Sequence, residues 1–334
     1  MTRGAPALRQ DAAFVPHIES GAVEPLRPVP VRGPRIGLAL GGGSARGWAH
    51  IGVVRALEEA GIHPAVVAGC SIGAVVGGCY AAGKLDTLAD FALSLTRRRV
   101  LGLLDPRLSG AGLIGGDRLR RRLTRDLGTR RIEDLPIGFA SVATELGTGH
   151  EVWLTRGSLV EALRASYALP GIFAPVSLDG RLLMDGTLVN PVPVALARAM
   201  GADVVVCVTL ACDPRVRGGV IEPDAPEAVE DTVAGVAAAR GWGLLRALRG
   251  RSGAAPAAPG IGRVMFDAFN ITQDRIARAR LERDPPDFAI VPDLSALGQF
   301  EFHRAAEGIA AGHAATRTIL PRLQAMIAGA AARA

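Results

Sequence analysis

The chain has 334 residues, enough for one large α/β domain or two small ones, with 49% hydrophobic and 21% charged residues, a balance that excludes global disorder. Its net charge of +6 rests almost wholly on arginine, with Lys84 the single lysine, so a lysine-rich nucleic-acid tail is excluded and a serine–lysine pair has one candidate base. The basic excess suits an anionic partner such as a phospholipid surface, although an arginine-rich genome produces the same composition.

Residues 1–34 are rich in proline and mixed charge and read as a flexible leader; Asp11, Glu19 and Glu24 interrupt the apolar core that a signal peptide needs. Residues 35–40 (RIGLAL) make an apolar run of strand length ending in three glycines. A helix is expected over 47–60, with Ile51, Val54 and Leu57 at helical spacing and Gly61 as its stop. A second buried run at 65–68 leads into a turn at Ser71 and an apolar helix to about Ala82. Strand–helix–strand–helix order is the crossover that a parallel sheet requires.

Residues 65–83 are 19 consecutive uncharged positions, with Gly69, Gly73 and Gly77 in G-x-x-x-G spacing, which is long enough for a membrane span. The turn signal Gly69-Cys70-Ser71-Ile72-Gly73 interrupts the run, and a buried strand, sharp turn and buried helix account for it better. Strands follow at 137–144 and 151–154, then a helix at 158–167. The strands 176–178 and 181–184 flank Asp179-Gly180, a hairpin signal that fully explains Asp179. Asn190 and Pro191 are a suitable cap and first-turn pair for a helix to Met200, and 203–210 is a β-branched buried strand. Residues 213–262 turn Gly-, Pro- and Ala-rich and read as a mobile insertion, and a long Ala-rich helix, broken or bent at Pro321, covers 302–330. Cys70, Cys79, Cys207 and Cys212 show neither metal-ligand spacing nor a C-x-x-C pair, which fits a reduced, cytosolic inventory.

Three segments carry chemistry. Gly69-Cys70-Ser71-Ile72-Gly73 is a G-x-S-x-G between a strand and a helix, the setting in which a serine projects from a strained turn. Gly41-Gly42-Gly43-Ser44-Ala45-Arg46-Gly47 lies in the same setting, where consecutive glycines turn backbone N–H groups toward an anion. A dinucleotide fingerprint from Gly41 would need glycine where Arg46 stands, and a P-loop from Gly42 would need Lys-Ser/Thr where Trp48-Ala49 stand. Asp185-Gly186 follows the 181–184 strand, and a carboxylate there could accept a serine proton. Taken alone, Asp185 reads as a turn or capping residue.

Together these segments resemble the patatin-like phospholipase family, in the bacterial branch related to the catalytic domain of neuropathy target esterase. The likeness runs from about Arg35 to Arg322 through LALGGGSARGWAHIGVVRALEEAGI, GCSIGAVVGG, ASYALPGIFAPV and LLMDGTLVNPVPV. It implies a three-layer α/β sandwich with a mostly parallel central sheet and helices on both faces, filling a single hydrolase domain over 35–330. It also implies lipid acyl esters as substrates, cleaved through a Ser–Asp dyad and a covalent acyl-enzyme, with no metal and no organic cofactor. Carried over, Ser71 is the nucleophile and Asp185 the base, and Gly42, Gly43 and Ser44 form the oxyanion hole. Gly41, Arg46, Gly47, Gly69, Gly73 and Gly186 support these motifs. Ser44 stands where a fourth glycine is common, and Thr187 where Gly or Ala is usual, close enough to crowd the base.

The rival enzyme is an α/β-hydrolase triad, in which Asp185 or Asp293 would be followed by His303 or His313. The non-enzymatic rival is a lipid-binding protein with a weak site. Residues 241–251 (GWGLLRALRGR) interleave Trp and Leu with Arg as an interfacial segment does, and the basic stretch 118–125 could assist it, though an ordinary solvated helix has the same look. The expectation is a cytoplasmic protein with no transmembrane span and no nucleic-acid partner, in peripheral contact with the anionic inner membrane surface.

Overall fold

The computed structural model describes residues 33–105, 112–210 and 260–331. Most of the leader, most of the 213–262 insertion, the 241–251 segment and Cys212 lie outside the described residues.

The chain opens with β1 (Ile36–Leu40), a 3-10 turn (Ser44–Trp48) and α1 (Ala49–Glu59), then β2 (Val66–Cys70), α2 (Ile72–Ala81), α3 (Leu85–Leu93) and α4 (Arg97–Leu103). It continues through β3 (Gly112–Ile114), α5 (Asp117–Leu127), β4 (Gly138–Glu145), β5 (Glu151–Leu154), α6 (Leu159–Ser166), β6 (Gly171–Phe173), β7 (Val176–Leu178) and β8 (Arg181–Asp185). The described chain closes with α7 (Val194–Ala199), β9 (Val204–Val208), α8 (Ile261–Arg283), β10 (Phe288–Ile290) and α9 (Ala305–Ala331).

Among the described residues, eight strands form the central sheet in the order β10-β9-β1-β2-β4-β8-β7, with β5 also on β4. The neighbours from β10 to β4 run parallel, whereas β5, β7 and β8 pair antiparallel. Parallel strands covered on both faces must be apolar on both, and β1, β2 and β9 are buried at every position. Their period-2 alternation splits the core. Leu38, Leu40, Val67 and Val206 pack under α1, α2, α6 and α9, while Ala39, Ala68, Cys70 and Cys207 face α7 and Ala277 of α8. The result is helix, sheet, helix, as the resemblance implies.

The uncharged 65–83 run resolves into β2, a turn and α2, and none of the described helices is long and apolar enough to cross a membrane. Other expectations shift. The helix expected from Gly47 begins at Ala49, because the glycine loop first winds through the 3-10 turn. Asn190 does not cap α7, which starts at Val194; its side chain instead donates to Glu151 Oε1 at 2.7 Å. Helix α8 begins at Ile261, inside the segment read as mobile. Helix α9 continues through Pro321, since the fully buried Thr316 and Leu323 hold it on either side of the lost hydrogen bond.

Helices α1 and α9 approach at backbone distance. A Cβ on Gly52 would stand 1.9 Å from the Ile309 carbonyl oxygen, and one on Gly312 would stand 2.0 Å from that of Ala49. A side chain here has only backbone to displace. Gly52→Val is therefore expected to lower stability by about 2–3 kcal/mol or more in urea unfolding; an unchanged midpoint would show that α9 is not seated on α1 in this way.

Candidate active site

The hydrogen-bond register of β4 fixes the site. Along one edge of β4, parallel β2 places Cys70 opposite Val142, and antiparallel β8 places Asp185 opposite Ala143. Strand β5 pairs with 141–144 and so occupies the other edge. Two strands running in opposite directions thus end against each other one position apart, and the next residue of β2 is Ser71.

Ser71 joins β2 to α2 at φ 55° and ψ −123°. A non-glycine residue held there costs on the order of 1–3 kcal/mol, and the sharp turn is the one that presents a nucleophile. Its neighbours allow the turn. A Cβ on Gly69 would lie 2.4 Å from Ala74 Cα, and one on Gly73 would lie 2.2 Å from the Leu40 carbonyl oxygen. The Ser71 amide donates to Ser166 Oγ at 3.0 Å, and that hydroxyl donates to the Val142 carbonyl at 2.7 Å.

Asp185 is 1% exposed. Its Oδ2 accepts the Ser71 hydroxyl at 2.7 Å, and its Oδ1 accepts the Thr187 amide at 2.9 Å and the Thr187 hydroxyl at 2.7 Å. The backbone is fixed as well. Asp185 N donates to the Ala168 carbonyl at 2.9 Å, and Thr144 Oγ1 donates to the Asp185 carbonyl at 2.8 Å. Gln273 Nε2, from α8, donates to Thr187 Oγ1, which leaves that hydroxyl's own hydrogen for Asp185. Thr187 therefore orients the carboxylate, where the sequence suggested crowding. Burial raises the Asp185 carboxyl from 3.8 to about 6, against the opposing pull of the Ser71 and Thr187 hydrogen bonds.

The glycine loop leaves β1 beside Ser71; a Cβ on Gly42 would lie 3.4 Å from Ser71 Cβ and 2.2 Å from Thr187 Cγ2. The Gly41 amide donates to the Val208 carbonyl, and the Gly42 amide donates to the Pro191 carbonyl at 3.0 Å. That corrects one expectation, since the Gly42 N–H is committed to the protein and is not free for an oxyanion. The amides of Gly43 and Ser44 have no protein acceptor among the described residues, and Ser44 holds a left-handed φ of 51°. Arg46 Nε donates to the Leu297 carbonyl at 2.9 Å and anchors the loop. A Cβ on Gly47 would lie 2.2 Å from Ile72 Cγ2, and one on Gly186 would lie 2.4 Å from the Val142 carbonyl oxygen.

His50 is fully buried with Nε2 2.8 Å from the Gly41 carbonyl oxygen. A carbonyl only accepts, so Nε2 carries the hydrogen, and burial lowers the ring's pKa to about 4 and keeps it neutral. Neither His303 nor His313 joins the site. His303 Nε2 accepts from Arg97 Nε at 3.2 Å, and His313 Nε2 bonds Glu59 at 2.9 Å. Asp293 accepts from the Ser295 amide, and Lys84 caps α3 beyond the end of α2. Ser166, Thr144 and Gln273 went unread in the sequence. Ser166 lies in ASYALPG, where its polarity beside apolar helix positions was the available signal; Gln273 carries none.

The patatin-like phospholipase family model matches residues 38–198. An uncharacterized NTE family protein of Mycobacterium tuberculosis is 38% identical over 323 residues, covering 84% of this chain and 90% of that protein. A second NTE family protein, from Mycobacterium bovis, is 33% identical and covers 87% of this chain and 47% of its own length. A lysophospholipase of Emericella nidulans is 28% identical over 87% of this chain, which spans 18% of that larger protein.

Burial of Asp185 has a measurable consequence. With the folded pKa above the unfolded value, folding favours the protonated form, and stability falls as pH rises from about 4 through about 6. The cost at neutral pH is about 3 kcal/mol. Asp185→Asn, which cannot ionise, is expected to gain up to that amount over wild type at pH above 7 and little at pH 4, read by denaturant unfolding. Equal stabilities at both pH values would contradict a buried, ionised Asp185.

Proposed function

The chain belongs to the patatin-like phospholipase family, in its NTE branch, and is a carboxylic-ester hydrolase acting on lipid esters; from that membership we propose that it cleaves acyl esters of phospholipids or lysophospholipids with Ser71 as nucleophile and Asp185 as base. The observation that carries this reading is the 2.7 Å hydrogen bond from Ser71 Oγ to Asp185 Oδ2, with no histidine between them.

In this reading Asp185 Oδ2 takes the hydroxyl proton as Ser71 Oγ attacks the ester carbonyl carbon. The resulting oxyanion is held by the amides of Gly43 and Ser44, and donors aimed at such a charge commonly contribute about 3 kcal/mol each. The carbon–oxygen bond to the alcohol then breaks, and Asp185 returns the proton to the departing alkoxide. That leaves an acyl-Ser71. Water, deprotonated by Asp185, attacks the acyl carbon, and collapse of the second tetrahedral intermediate releases the fatty acid and restores the serine. A carboxyl raised to about 6 by burial is a stronger base than an exposed aspartate and is still ionised at neutral pH.

No metal or organic cofactor enters any step. The 28% identity to a lysophospholipase supports the choice of lipid class but not a head group.

Hydrolysis of a lysophospholipid and of a short soluble ester tests the assignment. Ser71→Ala and Asp185→Asn are expected to lose at least about a thousandfold in kcat, and His303→Ala and His313→Ala to stay within about twofold. A histidine as essential as Ser71 would replace the dyad by a triad. The wild-type kcat/KM should fall as pH drops through about 6, because Asp185 must be ionised to act. Thr187→Val removes one hydrogen bond that favours the carboxylate, so its acid limb should move upward.

A further inference from the structure

Helix α4 has no buried residue, and α5 buries only Leu123 and Leu127. Between them opens a cavity of about 670 Å³ lined by Arg98, Arg99, Arg118, Arg121, Arg122 and Arg125. Arg121 and Arg125 also line, with Arg120, Thr124 and the carboxylate of Asp117, a second hollow of about 600 Å³ beside α5.

These six cations are poorly neutralised. Arg122 pairs with Asp126 and lies 4.5 Å over the Phe91 ring, and Arg125 reaches the same carboxylate only at 3.6 Å. Arg118 donates to the carbonyls of Gly102 and Leu104, and Arg99 to that of Ser94. Carbonyl oxygens accept these hydrogen bonds but carry no formal charge to cancel a guanidinium. Arg98 and Arg121 have no carboxylate partner among the described residues.

Large apolar side chains stand exposed in the same region, Leu101 of α4 at 67% and Leu113 of β3 at 66%. Arginine beside exposed leucine is the chemistry of a membrane interface. The guanidinium forks fit phosphate oxygens two at a time, and the leucines enter the acyl boundary. The face is also joined to the catalytic centre. Strand β3 pairs with β6, which begins three residues after Ala168, whose carbonyl accepts the Asp185 amide.

We propose that the arginine-lined face of α4, β3 and α5 docks the enzyme on an anionic phospholipid bilayer. This rests on the lipid-ester reading for its purpose but not for its test. The basic helix suspected from the sequence at 118–125 is part of this face, with α4 and the two leucines as its partners.

The test is vesicle flotation of the full chain carrying Ser71→Ala, so that binding is read without turnover. Phosphatidylglycerol-containing vesicles are compared with phosphatidylcholine alone, at low and high salt. Binding to the anionic vesicles is expected, weakened by salt. Arg98→Glu/Arg121→Glu should lower it on the order of tenfold, and Leu101→Ser/Leu113→Ser should lower it with little change in salt dependence. Arg283→Glu/Arg317→Glu, which removes the same charge from exposed positions on α8 and α9, should retain it, with melting temperatures as the folding control for all three. Equal partition to both vesicle types overturns the proposal, as does an equal loss in the Arg283/Arg317 control or binding to heparin in place of vesicles. Lysophospholipid hydrolysis by the wild-type chain is scored separately, so loss of docking and loss of the hydrolase reading give different results.

Discussion

A serine hydroxyl and a buried carboxylate can meet at 2.7 Å only if two segments 114 positions apart stop at the same place, and β4 supplies that place. One edge of this strand is shared by β2 and β8, which arrive from opposite ends and terminate opposite Val142 and Ala143. Because side chains alternate along a strand, a slip of one position in β8 would turn Asp185 to the other face. The hairpin at Asp179-Gly180, the Ala168 carbonyl and the Thr144 hydroxyl all resist that slip. The glycine loop depends on the same frame, since β1 is registered on β2 and delivers Gly42 beside Ser71.

The frame carries local costs. Ser71 and Ser44 are held at left-handed φ, and Asp185 is buried with a raised pKa. Surrounding contacts offset them. Ser166 and Thr187 stabilise the turn and the carboxylate, Arg46 ties the loop to Leu297, and neutral His50 fixes the Gly41 carbonyl. Each support acts through a backbone atom or a short side chain, which leaves few degrees of freedom near the reacting groups. A carboxylate held in this way reorganises little as a proton arrives.

Much of the scaffold was legible because its signals are local. Apolar runs ending in glycine marked β1 and β2, and Asp179-Gly180 marked the β7–β8 hairpin. What was not legible depends on tertiary contact. Asn190 resembles a helix cap, yet Glu151 claims its side chain. Pro321 resembles a break, yet packing carries α9 through it. Thr187 stands out as a departure in the sequence, but its hydroxyl is oriented by Gln273, a residue 86 positions away with no distinguishing pattern. Gly42 looks equivalent to Gly43 and Ser44 in the sequence, because composition cannot tell which amide already has an acceptor.

The central claim is that Asp185 activates Ser71 directly. The most direct measurement is the rate of covalent labelling by a fluorophosphonate across pH, with the modified residue identified by mass spectrometry. The account predicts a single adduct on Ser71, a rate that falls below a pH of about 6, and a slow, nearly flat profile in Asp185→Asn. Labelling at another residue, or an Asp185→Asn variant that reacts at the wild-type rate, would contradict it.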